Sequence, residues 1–438
     1  MSGALDRPAT SDRLSGISNA TGMLLAIIED IVSQHAEEAA FLWLLRSYAV
    51  RAPHYDLKDL ADLEERVEAH LDGLRVAGED AWPFCAEGLK QQEVGEVFAG
   101  AFFALVSERD DWLAPVLETA VEMPETLPGL ISALGWVERD RLKGRVAGWL
   151  RSDEAFLRRV GLAACRVQGV DCGRYLGAGL QDADAGVRAV ALRSAGEMRR
   201  ADCVPLILQC LDDEDAGCRY QAARAATLFG DRRGREGLMA FAGSDPVVGE
   251  DGMQLLLRSL ERHDAVDWVR ELNQCDDAAR AVVQATGIIG DPASIPWLIE
   301  QMAEPALARV AGEAVSMITG VDLAYDDLET DWPEGFEAGP TETPEDGDVA
   351  MDADEDLPWP GPALLAQWWV DRQGDYRAAV RYLCGRPVGR EQALTVLLQG
   401  QQRQRRAAAL ELALASPADP LFNTSAPARQ QRRQLGPG

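Results

Sequence analysis

From Gly148 to Gly320 apolar and polar positions recur with a period near 30 residues. Leu150, Leu180 and Leu211 open three successive segments. Seven residues after each comes an apolar or thiol side chain (Leu157, Val187, Cys218), then an arginine (Arg158, Arg188, Arg219), then a small residue (Gly161, Ala191, Ala222). The pattern returns over Cys275–Met302, with Arg280 in the arginine position and Gly290-Asp291-Pro292 as a turn. A further first helix follows over Pro305–Gly320, with Arg309. The stretch between, Gly243–Leu272, is a degenerate copy without a clear arginine. A fixed period of this length, with a polar turn and two short apolar helices per copy, predicts an all-α solenoid of stacked helix pairs.

An acid stands four residues before each of four arginines: Glu154, Asp184, Asp215 and Asp276 precede Arg158, Arg188, Arg219 and Arg280. An acid at a helix start caps free N–H groups and complements the helix dipole. The register also allows each arginine to bridge to an acid of a neighbouring copy, a structural ladder. In the second helices, Tyr175, Leu206 and Trp297 share one position, and Gln209 and Glu300 share another. If second helices line the concave side, these five residues are the candidate partner-binding surface. The competing reading packs them against the first helices. The N-terminal helices and the Trp368–Trp369 segment are the next candidates.

The flanks divide by pattern. Residues 1–21 read as a flexible N-terminus and 22–147 as a helical region, with Leu60, Leu63, Val67, Leu71 and Leu74 on one stripe. The repeat array occupies 148–321. Residues 322–358 read as an acidic, disordered insertion: 322–356 hold 15 acids and no lysine or arginine. Residues 359–420 form a C-terminal helical segment, with helices expected over Ala363–Arg372, Asp375–Leu383, Arg390–Leu398 and Arg403–Ala415. Residues 421–438 read as a flexible tail.

The net charge of −29 argues against a nucleic-acid partner, which would need a basic surface. The most apolar run, Val97–Val106, is too short to span a bilayer, so no membrane insertion is expected. With no secretory leader and no C-x-x-C pair, the eight cysteines read as reduced thiols of a cytoplasmic protein. Cys165/Cys172 and Cys203/Cys210 read as buried small-residue positions. His35 and Glu38 are one turn apart and His70 lies on the next predicted helix; all three read as polar rims of amphipathic helices, not as a metal site. Asp352, Asp354 and Asp356 resemble the start of a calcium loop, but Leu357 stands where glycine is required and Ala363 where glutamate is. No nucleotide-binding or nucleophile motif is present. No cofactor, metal or catalytic residue is assigned.

The central copies resemble HEAT-like repeats of the phycobilisome-lyase type. More broadly, HAEEAAFLWLLR (His35–Arg46), LADLEERVEAHLDGL (Leu60–Leu74), RVAGEAVSMITGVDL (Arg309–Leu323) and RRAAALELAL (Arg405–Leu414) followed by PLFNTSAPARQQ resemble an uncharacterised proteobacterial HEAT-repeat family. Some members of that family are encoded near type VI secretion components. The resemblance implies a non-enzymatic adaptor or chaperone accessory to that machine, with another protein as partner. It supplies no catalytic residues. The rival expectations are a lyase-like or ligand-binding enzyme, and a DNA glycosylase of HEAT-like fold, which the acidic balance disfavours.

Overall fold

The computed structural model describes residues 28–241, 246–339 and 351–436. The N-terminal part is built of α1 (Glu29–Ala49), α2 (Leu57–Ala77), α3 (Trp82–Gly88), α4 (Val94–Val106), α5 (Asp110–Glu122), α6 (Leu127–Trp136) and α7 (Arg139–Trp149). The repeats follow as α8 (Ala155–Val167), α9 (Arg174–Gly179), α10 (Ala185–Glu197), α11 (Val204–Gln209), α12 (Ala216–Leu228), α13 (Arg232–Met239), α14 (Pro246–Ser259), α15 (Arg262–Leu272), α16 (Ala279–Ile289), α17 (Ile295–Gln301) and α18 (Pro305–Thr319). After the acidic segment come α19 (Pro362–Arg372), a two-strand hairpin of β1 (Tyr382–Leu383) and β2 (Arg386–Pro387), α20 (Arg390–Gln399), α21 (Gln402–Ala415) and α22 (Ala428–Leu435).

The helices α1, α4, α6, α8, α10, α12, α14, α16 and α18 pack each on the next, forming one continuous first layer. The second layer (α5, α7, α9, α11, α13, α15 and α17) packs on it. The stack runs through the boundary placed at residue 148 without a break. The degenerate copy contributes α14 and α15 like any other repeat. Small residues explain the close spacing. Ala191 and Ala195 of α10 and Ala222 and Ala225 of α12 are fully buried, and a Cβ at Gly196 would lie 2.8 Å from Ala225 Cα. Between the small residues Val187 and Leu192 are sealed from solvent, each such burial contributing about 1.5–3 kcal/mol. Asp184 and Asp215 cap α10 and α12, accepting from Val187 N (2.9 Å) and Cys218 N (2.8 Å). Glu154 holds the N-cap position of α8 without a side-chain bond, and Asp276 lies in the turn before α16, whose N-cap is Ala278.

Four expectations change. Asp375–Leu383 is not a helix: its end is the first strand of the hairpin that crosses the ends of α16 and α18. Tyr382 N donates to Gly290 O (2.7 Å), Cys384 N to Met317 O (2.9 Å) and Gly385 N to Ile318 O (2.9 Å). An extended chain turns its N–H groups outward to meet the free carbonyls at helix C-termini, whereas a helix would consume them internally. The tail is not frayed: α22 packs on α2, and Ala428 and Gln431 are fully buried. The acidic segment, in its described part, is built into the array, as set out below; residues 340–350 lie outside the described residues, as does the N-terminus 1–21. Finally, the second helices do not line the inside of the curve, which belongs to the first layer.

Gly290 ends α16 at φ +74°, and a Cβ there would stand 2.5 Å from Tyr382 O. Gly290→Ala is therefore expected to cost more than about 2 kcal/mol, from left-handed backbone strain and displacement of the hairpin. Urea unfolding of the variant checks this; a loss below about 0.5 kcal/mol would mean the hairpin is not docked there.

Candidate functional site

The repeated arginines sit in the first turn of their first helices, and Arg158 and Arg188 each lace one repeat to the next. Arg158 Nη1 donates to the carbonyls of Ser152 and Asp153 in its own turn. Its Nε and Nη2 hold both oxygens of Asp182, at the start of the next repeat, at 2.7 and 2.8 Å. Arg188 repeats the arrangement with Asp182 O, Ala183 O and both oxygens of Asp213. Arg219 donates to Asp213 O and Glu214 O. The bridging acids therefore stand two residues before the capping acids, in the pairs Asp182-Ala183-Asp184 and Asp213-Glu214-Asp215. In each pair the first aspartate also accepts the second one's N–H.

The acidic segment copies this turn. Asp352 accepts Asp354 N (3.0 Å), Asp352 holds Arg309 through two bonds of 2.7 and 2.8 Å, and Asp354 holds Arg280 through two of 2.5 and 2.7 Å. The Arg309 guanidinium also lies 4.8 Å from the Trp332 ring and 5.4 Å from the Trp359 ring, with Phe336 against both. The segment thus supplies the acids that a further repeat would otherwise give, and adds Trp332 beside the Arg309 guanidinium.

The C-terminal segment crosses the inside of the first layer. Arg403 Nε donates to Arg51 O, after α1, while its Nη1 meets Glu313 of α18, all at 2.8 Å. Gln402 N donates to Tyr55 O (2.7 Å). The first and last helices of the layer thus share one residue as partner, so the stack curves back until its ends are bridged. Between the ends, Arg406 pairs with Asp251 of α14, Glu411 with Arg258 of α14 (2.9 Å), and Leu421 N donates to Glu197 O of α10 (2.8 Å). Further on, Ala428 N bonds Glu64 of α2 (2.7 Å), and Arg46 of α1 donates to Ala426 O (3.1 Å). Arg405, wholly buried, donates to Leu397 O, Gln402 Oε1 and Gln431 Oε1. With only neutral oxygens bonded to it, burial pushes its guanidinium down to about 10.

The groove suggested by the repeat architecture is therefore filled by the chain itself. A cleft of about 500 Å³ remains beside the C-terminal segment. Its charged walls, Arg166 with Glu197 and Arg390 with Asp419, are paired with one another.

Tyr175 and Leu206 sit half-buried on α9 and α11 against one core cluster, and Trp297 half-buried on α17 against another; Gln209 and Glu300 are exposed. All five lie on the second layer, on separate helices. A more exposed apolar row lies on α1, where Ile31, Phe41, Leu45 and Tyr48 are 41–69% exposed. Their positions fit the 3–4 spacing of one helix face, shared with Gln34 and Glu38. The opposite face buries Val32, Ala36, Ala39, Leu42 and Trp43. The signal was present in the sequence: Phe41-Leu42-Trp43-Leu44-Leu45 puts apolar groups around the whole helix, more than one buried face needs.

Among the described residues no helix is long and apolar enough to cross a membrane. Residues 174–251 match the family model for HEAT repeats. No characterised protein and no solved structure matches the chain. The matched repeats and the two-layer helical stack together make this chain an all-α solenoid of HEAT-like repeats.

Proposed function

We propose that the chain is a non-enzymatic protein-interaction scaffold whose partner docks on the outer face of α1. The observation carrying this reading is the row Ile31, Phe41, Leu45 and Tyr48, large apolar groups left in solvent on a rigid helix at the spacing that receives another amphipathic helix. HEAT repeats commonly serve protein–protein interaction, and the inside of this array is already occupied, which leaves outer surfaces for a partner. The second-layer residues Tyr175, Leu206, Gln209, Trp297 and Glu300 are the second candidate surface. An adaptor or chaperone role in type VI secretion, in the cytoplasm, is the finer form of the proposal; its support is the family resemblance alone.

A photo-crosslinking residue placed at Phe41 in the native host is expected to give one defined protein adduct. Phe41→Ser, Leu45→Ser and Tyr48→Ser combined should weaken capture of that protein at least tenfold, about 1.4 kcal/mol, and leave the protein cooperatively folded, because the side chains are about half solvated already. An adduct formed from Gln209 and not from Phe41 would move the surface to the second layer. Adducts from neither would sink the scaffold reading.

A further inference from the structure

The outer face of α1 changes character along its length. Asp30, Gln34, Glu37 and Glu38 precede Phe41, Leu45 and Tyr48 on one arc of the helix. The helix carries four acids, Glu29, Asp30, Glu37 and Glu38, and one arginine, Arg46, which is buried and turned to Glu64. Its outer face therefore shows acids and apolar groups and no lysine or arginine. Beside the acidic half lies a recess of about 100 Å³ between α1, α3 and α4. Ser33, Glu37, Glu87, Gln91 and Glu96 line it together with Phe84. Glu37 stands one turn before Phe41, so the recess adjoins the apolar row.

Elsewhere in the chain half-buried acids hold arginines, as Glu197, Asp251 and Glu313 do. Here that arginine is missing. Among the described residues Glu37 accepts a bond from Ser33 Oγ (2.8 Å), neither Glu37 nor Glu96 has a cationic partner, and only Glu87 is paired, with Lys90. Burial raises the Glu96 carboxyl above its ordinary range, and Glu93 adds to the rise, so a cation placed there would gain from both carboxylates. We infer that the partner of α1 is a basic amphipathic helix. Its apolar side meets Phe41, Leu45 and Tyr48, and a lysine or arginine about one turn from that contact enters the recess and pairs with Glu37 and Glu96. The aliphatic stem of such a side chain suits the Phe84 ring and its head suits the carboxylates. The same acids turn away an acidic helix. The inference rests on the reading of α1 above and adds the chemistry of its partner.

The test titrates the full chain with three labelled synthetic helical peptides that share one leucine face and carry lysine, glutamine or glutamate on the other, read by fluorescence anisotropy. The lysine peptide should bind at least tenfold tighter than the glutamine peptide, and the glutamate peptide most weakly. Glu37→Gln with Glu96→Gln should cancel most of the lysine peptide's gain and leave the glutamine peptide unchanged. Should that pair fail to fold, Glu37→Gln alone, at an exposed position, should show the same trend. Asp212→Asn with Glu214→Gln, which remove the same charge from the exposed turn before α12, should leave the gain intact. Equal losses from the two double variants would reduce the gain to general attraction by a chain of net charge −29 and overturn the inference. Lysine and glutamine peptides that bind alike, both weakened by Phe41→Ser, would overturn it and leave the α1 surface standing. Lysine-peptide binding indifferent to Phe41→Ser, or none at millimolar peptide, would sink the inference together with that surface.

Discussion

Glu197→Gln is expected to destabilise the protein by about 3–5 kcal/mol, the range for removing one partner from a buried charge network. Glu197 closes α10 and accepts from Arg193 Nε (2.8 Å), Arg224 Nη1 (3.1 Å) and Arg166 Nη1 (3.3 Å). Arg224 reaches on to Asp251, which takes Arg406 from α21. Five helices, α8, α10, α12, α14 and α21, thus meet in one network. Burial alone would raise the Glu197 carboxyl, but Arg193, Arg166 and Arg224 together outweigh it and hold the group well below the usual carboxylate range. Asp251 is held low in the same way, burial being outweighed by Arg224, Arg406 and Arg193. Groups with lowered folded pKa stabilise above their unfolded values of about 4 and lose that contribution as pH falls towards the folded ones. The wild type should therefore keep the full contribution above about pH 5 and lose it below. Glutamine at 197 should give a shallower acid limb as well as a lower plateau. Urea unfolding from pH 3 to 7 measures both. A plateau loss under about 1 kcal/mol would show the network to be solvated.

Deleting 322–356 is expected to cost on the order of 4 kcal/mol, although charge density alone marks the segment as dispensable. The deletion removes Asp352 and leaves Arg309, 4% exposed, as an unpaired cation beneath the surface. It also strips Trp332 from the guanidinium and the buried Leu323 and Leu328 from the core of the last repeat. Asp352→Asn with Asp354→Asn isolates the electrostatic part and should account for more than half of the loss. A deletion variant that melts like the wild type would show that the aspartate pairs contribute nothing net.

These two expectations mark where sequence reading succeeded and failed. The repeat was legible because each copy must present the same small and apolar residues to the next, so packing writes itself as periodicity. The arginines were legible for the same reason. The acidic segment was misread because 15 like charges dominate any average, whereas the folding instruction is local: Asp352-Ala353-Asp354 repeats the spacing of Asp182-Ala183-Asp184. Searching for that pair would have recovered it. The C-terminal segment had no such signal. RRAAALELAL reads as an ordinary helix, and the burial of Arg405 depends on carbonyl and amide oxygens as far away as Gln431. The α1 row was visible as apolar excess, but which face stays wet is decided by α2 and α4, not by α1 itself.

The bond from Arg46 to Ala426 O spans 380 residues. An open solenoid can grow copy by copy as it leaves the ribosome, each repeat resting on its predecessor. Here the earliest helices receive some of their last partners only when residues 402–431 have been made, so vectorial synthesis yields an unclasped arc that must wait for its own far end. Loop-closure entropy across almost the whole chain is then paid in one late step. Once the clasp is shut, opening any stretch of the arc strains the same latch, and neighbouring repeats lose the independence that a linear array would give them.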